Sequence, residues 1–102
     1  MYKKTDIHLR KIGDVAGFFN RSVMCIRAWE TQGLFRYTSG AKIEPIRKQS
    51  EKTGLLGTRY YTLDMIEEMA RSLYRVRRIN KYSLERTLNI INAHRQIEER
   101  IQ

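Results

Sequence analysis

Residues Ile12 to Leu34 constrain this chain more than any other stretch. They read as two short amphipathic helices joined by the polar turn Asn20-Arg21-Ser22. The first, Gly13 to Phe19, carries Val15, Ala16 and Phe19 along one stripe, and the second carries Ile26 and Trp29 one turn apart. Ser22 is placed to cap the second helix, which is predicted to run to about Gln32 and stop at Gly33, where a left-handed residue costs least. Helices this short can bury their stripes only against each other and a third element. The outward face of the second helix, with Val23, Met24, Arg27, Ala28 and Thr31, is thereby left free.

A chain of 102 residues with 41% apolar content supports one small domain around one modest core. Its net charge of +9 makes a polyanion the default partner, and nucleic acid is the commonest one for a domain of this size. The charge is uneven: residues 1–60 hold 12 Lys/Arg against 5 Asp/Glu, and residues 61–102 hold 8 against 6. The first half is therefore read as the contact half and the second as its support. A single cysteine excludes an internal disulfide, and two distant histidines offer no metal constellation. No enzyme chemistry, metal or cofactor is expected. The absence of a bilayer-length apolar run and of a signal-peptide core predicts a cytoplasmic, nucleoid-associated protein without a membrane partner.

Leu9 to Ile12 reads either as a short strand or as a lead into the first helix. From Phe35 to Tyr61 helical periodicity gives way to punctuation by Gly40, Pro45, Gly54 and Gly57. Strands are predicted at Ile43 to Gln49 and Thr58 to Thr62, joined by the turn Ser50-Glu51-Lys52-Thr53-Gly54, giving a hairpin wing over about 35–62. A third helix capped by Thr62 follows Leu63, Ile66, Met69, Ala70, Leu73, Tyr74 and Val76 to about Arg78. After Ile79-Asn80-Lys81-Tyr82, Ser83 is expected to cap a fourth, with Leu84, Leu88, Ile91, Ile97 and Ile101 as its stripe. The predicted fold class is mainly α with a small β-hairpin wing: a winged helix-turn-helix with the helix pair at about 13–33 and supporting helices at about 63–101.

Four pieces in order carry a family resemblance. They are Ile12-Gly13-Asp14-Val15-Ala16, then Ile26-Arg27-Ala28-Trp29-Glu30 with Gly33-Leu34, then Arg59-Tyr60-Tyr61-Thr62-Leu63, and finally Ser83-Leu84-Glu85. With these, roughly residues 10 to 95 resemble the DNA-binding domain of the MerR family of transcription regulators. The resemblance implies a winged helix-turn-helix, an Arg27 that holds phosphate, and dimerisation through a further helix. The chain departs from it in three ways. Ala28 stands where an aromatic is common, the stretch from Phe35 to Thr58 is longer than the usual wing, and the C-terminal helix is too short to guarantee the family's antiparallel coiled coil; no effector-sensing region is expected.

In a major groove, a helix reads base edges from its exposed N-terminal positions, which nominates Ser22, Val23, Met24 and Arg27. Val23 and Met24 suit thymine methyl contacts and selection by shape. Arg21 and Thr31 complete the helical set, and Arg36, Lys42, Arg47, Lys48, Lys52, Arg59 and Tyr60 form a basic wing suited to a minor groove or its flanking phosphates. Arg59 is the leading wing candidate. Of Tyr60 and Tyr61, on alternate faces of a strand, one is expected to pack on the third helix and the other to point outward.

Other conspicuous residues read as structural. Trp29 and Cys25 are expected in or beside the core, and His8 and His94 at the surface. Arg75, Arg77, Arg78 and Lys81 read equally as a phosphate site or as a solvated face near a helix C-terminus. Glu30 either orients an arginine or lies toward the wing. The function expected is sequence-specific binding of double-stranded DNA by a small MerR-like transcription regulator, acting as a homodimer or head-to-tail array. The alternative is an excisionase-like or small-terminase-like architectural factor of a phage or mobile element. Contacts to RNA polymerase or a recombinase would follow respectively.

Overall fold

The computed structural model describes residues 9–49 and 56–101. The elements run β1 (Arg10–Lys11), α1 (Ile12–Phe19), α2 (Val23–Thr31), β2 (Ile46–Gln49), β3 (Leu56–Tyr61), α3 (Leu63–Arg75) and α4 (Lys81–Ile101). The chain is mainly helical, with a small antiparallel sheet ordered β1-β3-β2. His8, Lys52 and the expected turn at 50–54 lie outside the described residues.

The helix pair forms for local reasons. Asp14 Oδ2 accepts the Lys11 N–H at 3.3 Å, placing a carboxylate in the first turn of α1, where the helix dipole favours it. At the other end Asn20 turns left-handed (φ 54°), a conformation its short polar side chain tolerates. Its N–H and that of Arg21 then return to the carbonyls of Gly17 and Ala16 at 3.1 and 3.0 Å. Ser22 Oγ accepts the Cys25 N–H at 3.1 Å and starts α2 immediately. Gly33, at φ 73°, ends it, and Leu34 N–H bonds back to the Trp29 carbonyl at 3.1 Å.

Val15, Ile26, Ile66, Ala70, Leu73 and Ile91 are fully buried at the junction of the four helices, with Trp29, Phe18 and Phe19 around them. Cys25 is half-buried and packs against this cluster. Thr87, buried on α4, donates to the Phe18 carbonyl at 3.3 Å and fixes α1 on α4. On the opposite flank Arg95 of α4 pairs with Asp64 and, at 2.8 Å, with Glu67 of α3. Arg10 of β1 pairs with the buried Glu98 of α4, so both ends of the described chain are held together.

Several expectations are corrected. Of the two readings offered for Leu9 to Ile12, the strand holds over Arg10–Lys11, antiparallel to β3 with Arg10 opposite Tyr61, and only its end moves, since Ile12 already belongs to α1. The hairpin's first strand begins at Ile46 rather than Ile43, because residues 35–43 close a smaller turn of their own. There Ile43 N–H bonds to the Phe35 carbonyl at 2.9 Å, Arg36 bridges to Lys42, and Gly40 turns at φ 95°. Phe35 and Ile43 are thereby buried, and Pro45, which has no N–H to give a ladder, separates the two turns. The extra length between α2 and β3 is thus a folded neck followed by a hairpin. α3 ends at Arg75 rather than Arg78, and Tyr74 and Val76 are exposed: the stripe stops at Leu73, and Arg77 turns left-handed at φ 62° so that Arg78 N–H reaches the Leu73 carbonyl at 2.8 Å. α4 starts at Lys81 because Asn80 is its cap, its Oδ1 accepting from Ser83 N–H at 2.8 Å. His94 is half-buried against the Phe18 ring, 4.9 Å between centroids, rather than at the surface. Among the described residues no helix is long and apolar enough to cross a membrane.

Candidate functional site

The hairpin packs on β1 and α1 because one of its faces belongs to the core, and it meets α2 through the Glu30–Arg59 side-chain pair. On β3, Tyr61 is buried, and residues two apart share a face, so Arg59 is directed to the same side. Arg47 of β2 is the register partner of Arg59. From α2, Arg27 reaches the same place. An open cleft between helix and hairpin is lined by Ile12, Arg27, Arg47, Gly57, Thr58 and Arg59. Three guanidinium groups from three elements therefore converge.

One carboxylate answers them. Glu30, one turn beyond Arg27 on α2, pairs with Arg59 through its Nη1. With side-chain exposures of 35% for Arg59 and 19% for Glu30, the arginine lines the cleft while the carboxylate holds it from a small adjoining cavity walled by Gly33, Phe35 and Ile43. Among the described residues, neither Arg27 nor Arg47 pairs with a carboxylate. Like charges directly opposite in an antiparallel pair repel, so the Arg47–Arg59 juxtaposition is one that an incoming anion relieves. Burial, and then the Glu30 carboxylate, push the Tyr61 phenol above its ordinary value, while Arg59 pulls the other way. Tyr61 accordingly stays protonated beneath the site.

The remaining expected site residues take several roles. Met24 is 79% exposed on α2, with Arg27, Ala28 and Thr31 also at the surface and Val23 half-buried beside them. The Thr31 hydroxyl donates to the Arg27 carbonyl at 2.9 Å, so its methyl is the free end. Ser22 is occupied as the α2 cap, and Arg21 lies over the Trp29 ring at 5.9 Å. Arg36 is engaged in the neck: its Nε donates to the Gly33 carbonyl at 3.2 Å and its Nη1 to that of Gly40 at 3.0 Å. Ser72 of α3 latches the same neck, accepting the Arg36 N–H at 3.0 Å and donating to the Leu34 carbonyl. Lys42 stands on the neck's turn, Lys48 lies on β2, and Tyr60 is half-buried opposite Ile46.

Arg75, Arg77, Arg78 and Lys81 gather around a separate surface cleft at the α3–α4 turn. Arg75 braces the neck by donating to the Arg36 carbonyl at 2.7 Å, and Arg78 donates to Oε1 of Gln32, the residue that caps the end of α2, at 3.3 Å. Sequence reasoning missed Gly57, Thr58 and Ile12 as cleft walls. Gly57 did carry a signal, since a glycine inside a strand marks a close backbone approach.

The chain belongs to the family described as Domain of unknown function (DUF7229), which matches residues 8–94. That span takes in the helix pair, the neck, the hairpin, α3 and most of α4. Neither a curated protein nor a solved structure matches the chain.

Proposed function

We propose that this protein binds double-stranded DNA sequence-specifically, as a small MerR-like transcription regulator. The observation that carries the reading is the convergence of Arg27, Arg47 and Arg59 on one open cleft beside the exposed Met24 face of α2. A groove-sized helix flanked by a basic hairpin lets α2 enter a major groove while the arginines hold the phosphates at its edge. The guanidinium fork suits phosphate oxygens, and Gly57 lets the hairpin backbone approach closely. Val23, Met24 and the Thr31 methyl supply apolar contacts to thymine, so selection by groove shape complements a sparse hydrogen-bond code. A homodimer or head-to-tail array would present two such helices, with the exposed Ile97 of α4 available for pairing.

Electrophoretic and anisotropy titrations of a mixed-sequence duplex, followed by footprinting on genomic fragments, test the reading. Binding should weaken steeply with salt and localise to a promoter whose transcription the protein changes. A parent protein that does not bind duplex at low salt refutes it. The basic hairpin also favours a second reading, an architectural factor that bends DNA for a recombinase or terminase. Phased protection near an attachment or packaging site, with bending, would select that reading.

A further inference from the structure

We infer that Glu30 is a positioning residue that makes the arginine cleft prefer the fixed phosphates of a duplex over a flexible polyanion. The inference rests on the double-strand reading above and concerns the same cleft.

Three guanidinium groups line this cleft, the two on the hairpin stand directly opposite each other, and Glu30, outside the lining, reaches one of them by pairing with Arg59. Left alone, Arg47 and Arg59 repel and their long side chains separate into water. Glu30 prevents this by taking one edge of Arg59 from the helix side. A guanidinium carries five N–H donors, so a contact through Nη1 leaves others for the cleft, which Arg59 still lines. Because Glu30 is the more buried partner, the pair is anchored on α2 and the hairpin arginine is held by the helix it must act beside.

The carboxylate therefore does two opposite things: it lowers the local charge by one, and it fixes the geometry of what remains. A flexible chain of phosphates adapts its shape to any arrangement of cations and responds chiefly to net charge. A phosphate held in a double helix cannot adapt, and gains from donors already in place. Removing the Glu30 charge should consequently move the two ligands in opposite directions.

The test compares the parent with Glu30→Gln, which keeps the size and an acceptor oxygen, and with Glu85→Gln, which adds the same unit of net charge at an exposed α4 position outside the cleft lining. Affinities are measured at one ionic strength for a mixed-sequence duplex of about three helical turns and for linear polyphosphate. For Glu30→Gln we expect duplex binding to weaken about fivefold and polyphosphate binding to strengthen about threefold. Glu85→Gln should shift both by less than about twofold and in the same direction. If Glu30→Gln strengthens both ligands in step with Glu85→Gln, the inference is overturned while the double-strand reading stands. A parent that ignores the duplex overturns both. Should Glu30→Gln fail to fold, side-chain 15N spectra of the parent decide. Hindered rotation of the Arg59 guanidinium, retained when duplex is added, supports the positioning role, and free rotation in either state overturns it.

Discussion

Removing the cleft arginines one at a time should change the salt dependence of duplex binding by a calculable amount. Each phosphate neutralised contributes about 0.9 to the slope of log affinity against log salt. Three arginines line the cleft, so their share of the slope is about 2.7, falling to about 1.8 in Arg27→Ala. Between about 50 and 200 mM salt, that share weakens binding roughly 40-fold in the parent and roughly 12-fold in the variant. Contacts elsewhere add to both proteins equally, so the difference in slope survives them. Arg47→Ala and Arg59→Ala should each show the same slope change, but their free energies should not add. Losing either one relieves the repulsion in the Arg47–Arg59 register pair, and losing Arg59 also leaves Glu30 without its counter-ion. Fluorescence anisotropy of a labelled duplex across a salt series measures this directly. Identical slopes for the parent and all three variants would refute the assignment of the cleft as a phosphate seat.

Three further outcomes concern the scaffold. The Tyr61 pKa is raised in the folded protein, so its contribution is present below the ordinary phenol value of 10.0 and is lost as pH rises through the higher folded value. Alkaline denaturation should therefore soften in Tyr61→Phe, and an unchanged alkaline limb would contradict the burial argument. Glu67 behaves oppositely. Its hydrogen bond from Arg71, with help from Arg95, lowers its pKa below 4.5, so its contribution is present above that value and disappears as pH falls through the lowered one. Urea melts at descending pH should show the acid-side loss shrink in Glu67→Gln. Ser72→Ala should cost about 1–3 kcal/mol, since it leaves the Arg36 N–H and the Leu34 carbonyl without their buried partner. Chemical denaturation measures that cost, and a change below about 0.5 kcal/mol would show that water replaces the hydroxyl.

The parts legible in the sequence were those with local causes. The Ser22 and Thr62 caps, the Gly33 stop, the Ile26–Trp29 spacing and the alternation of Tyr60 with Tyr61 each involve residues within a turn of one another. The boundaries that moved did so through competition between neighbours. Asn80 took the cap expected of Ser83, and Ile43 left the hairpin strand to close the neck. His94 was misjudged as free surface because its partner, Phe18, comes from a different helix.

From residue order alone come a helix pair with one free face, a basic hairpin and the excess of positive charge, because periodicity, capping and composition act over short spans. Only the tertiary structure decided which charges meet. Glu30 lies 29 residues from Arg59, and Arg10 lies 88 from Glu98. Electrostatic partnership depends on distance in space, which packing of the core sets, and no spacing along the chain encodes it. The three cleft arginines are scattered cations in sequence and meet only because the hairpin and α2 are packed around the same core.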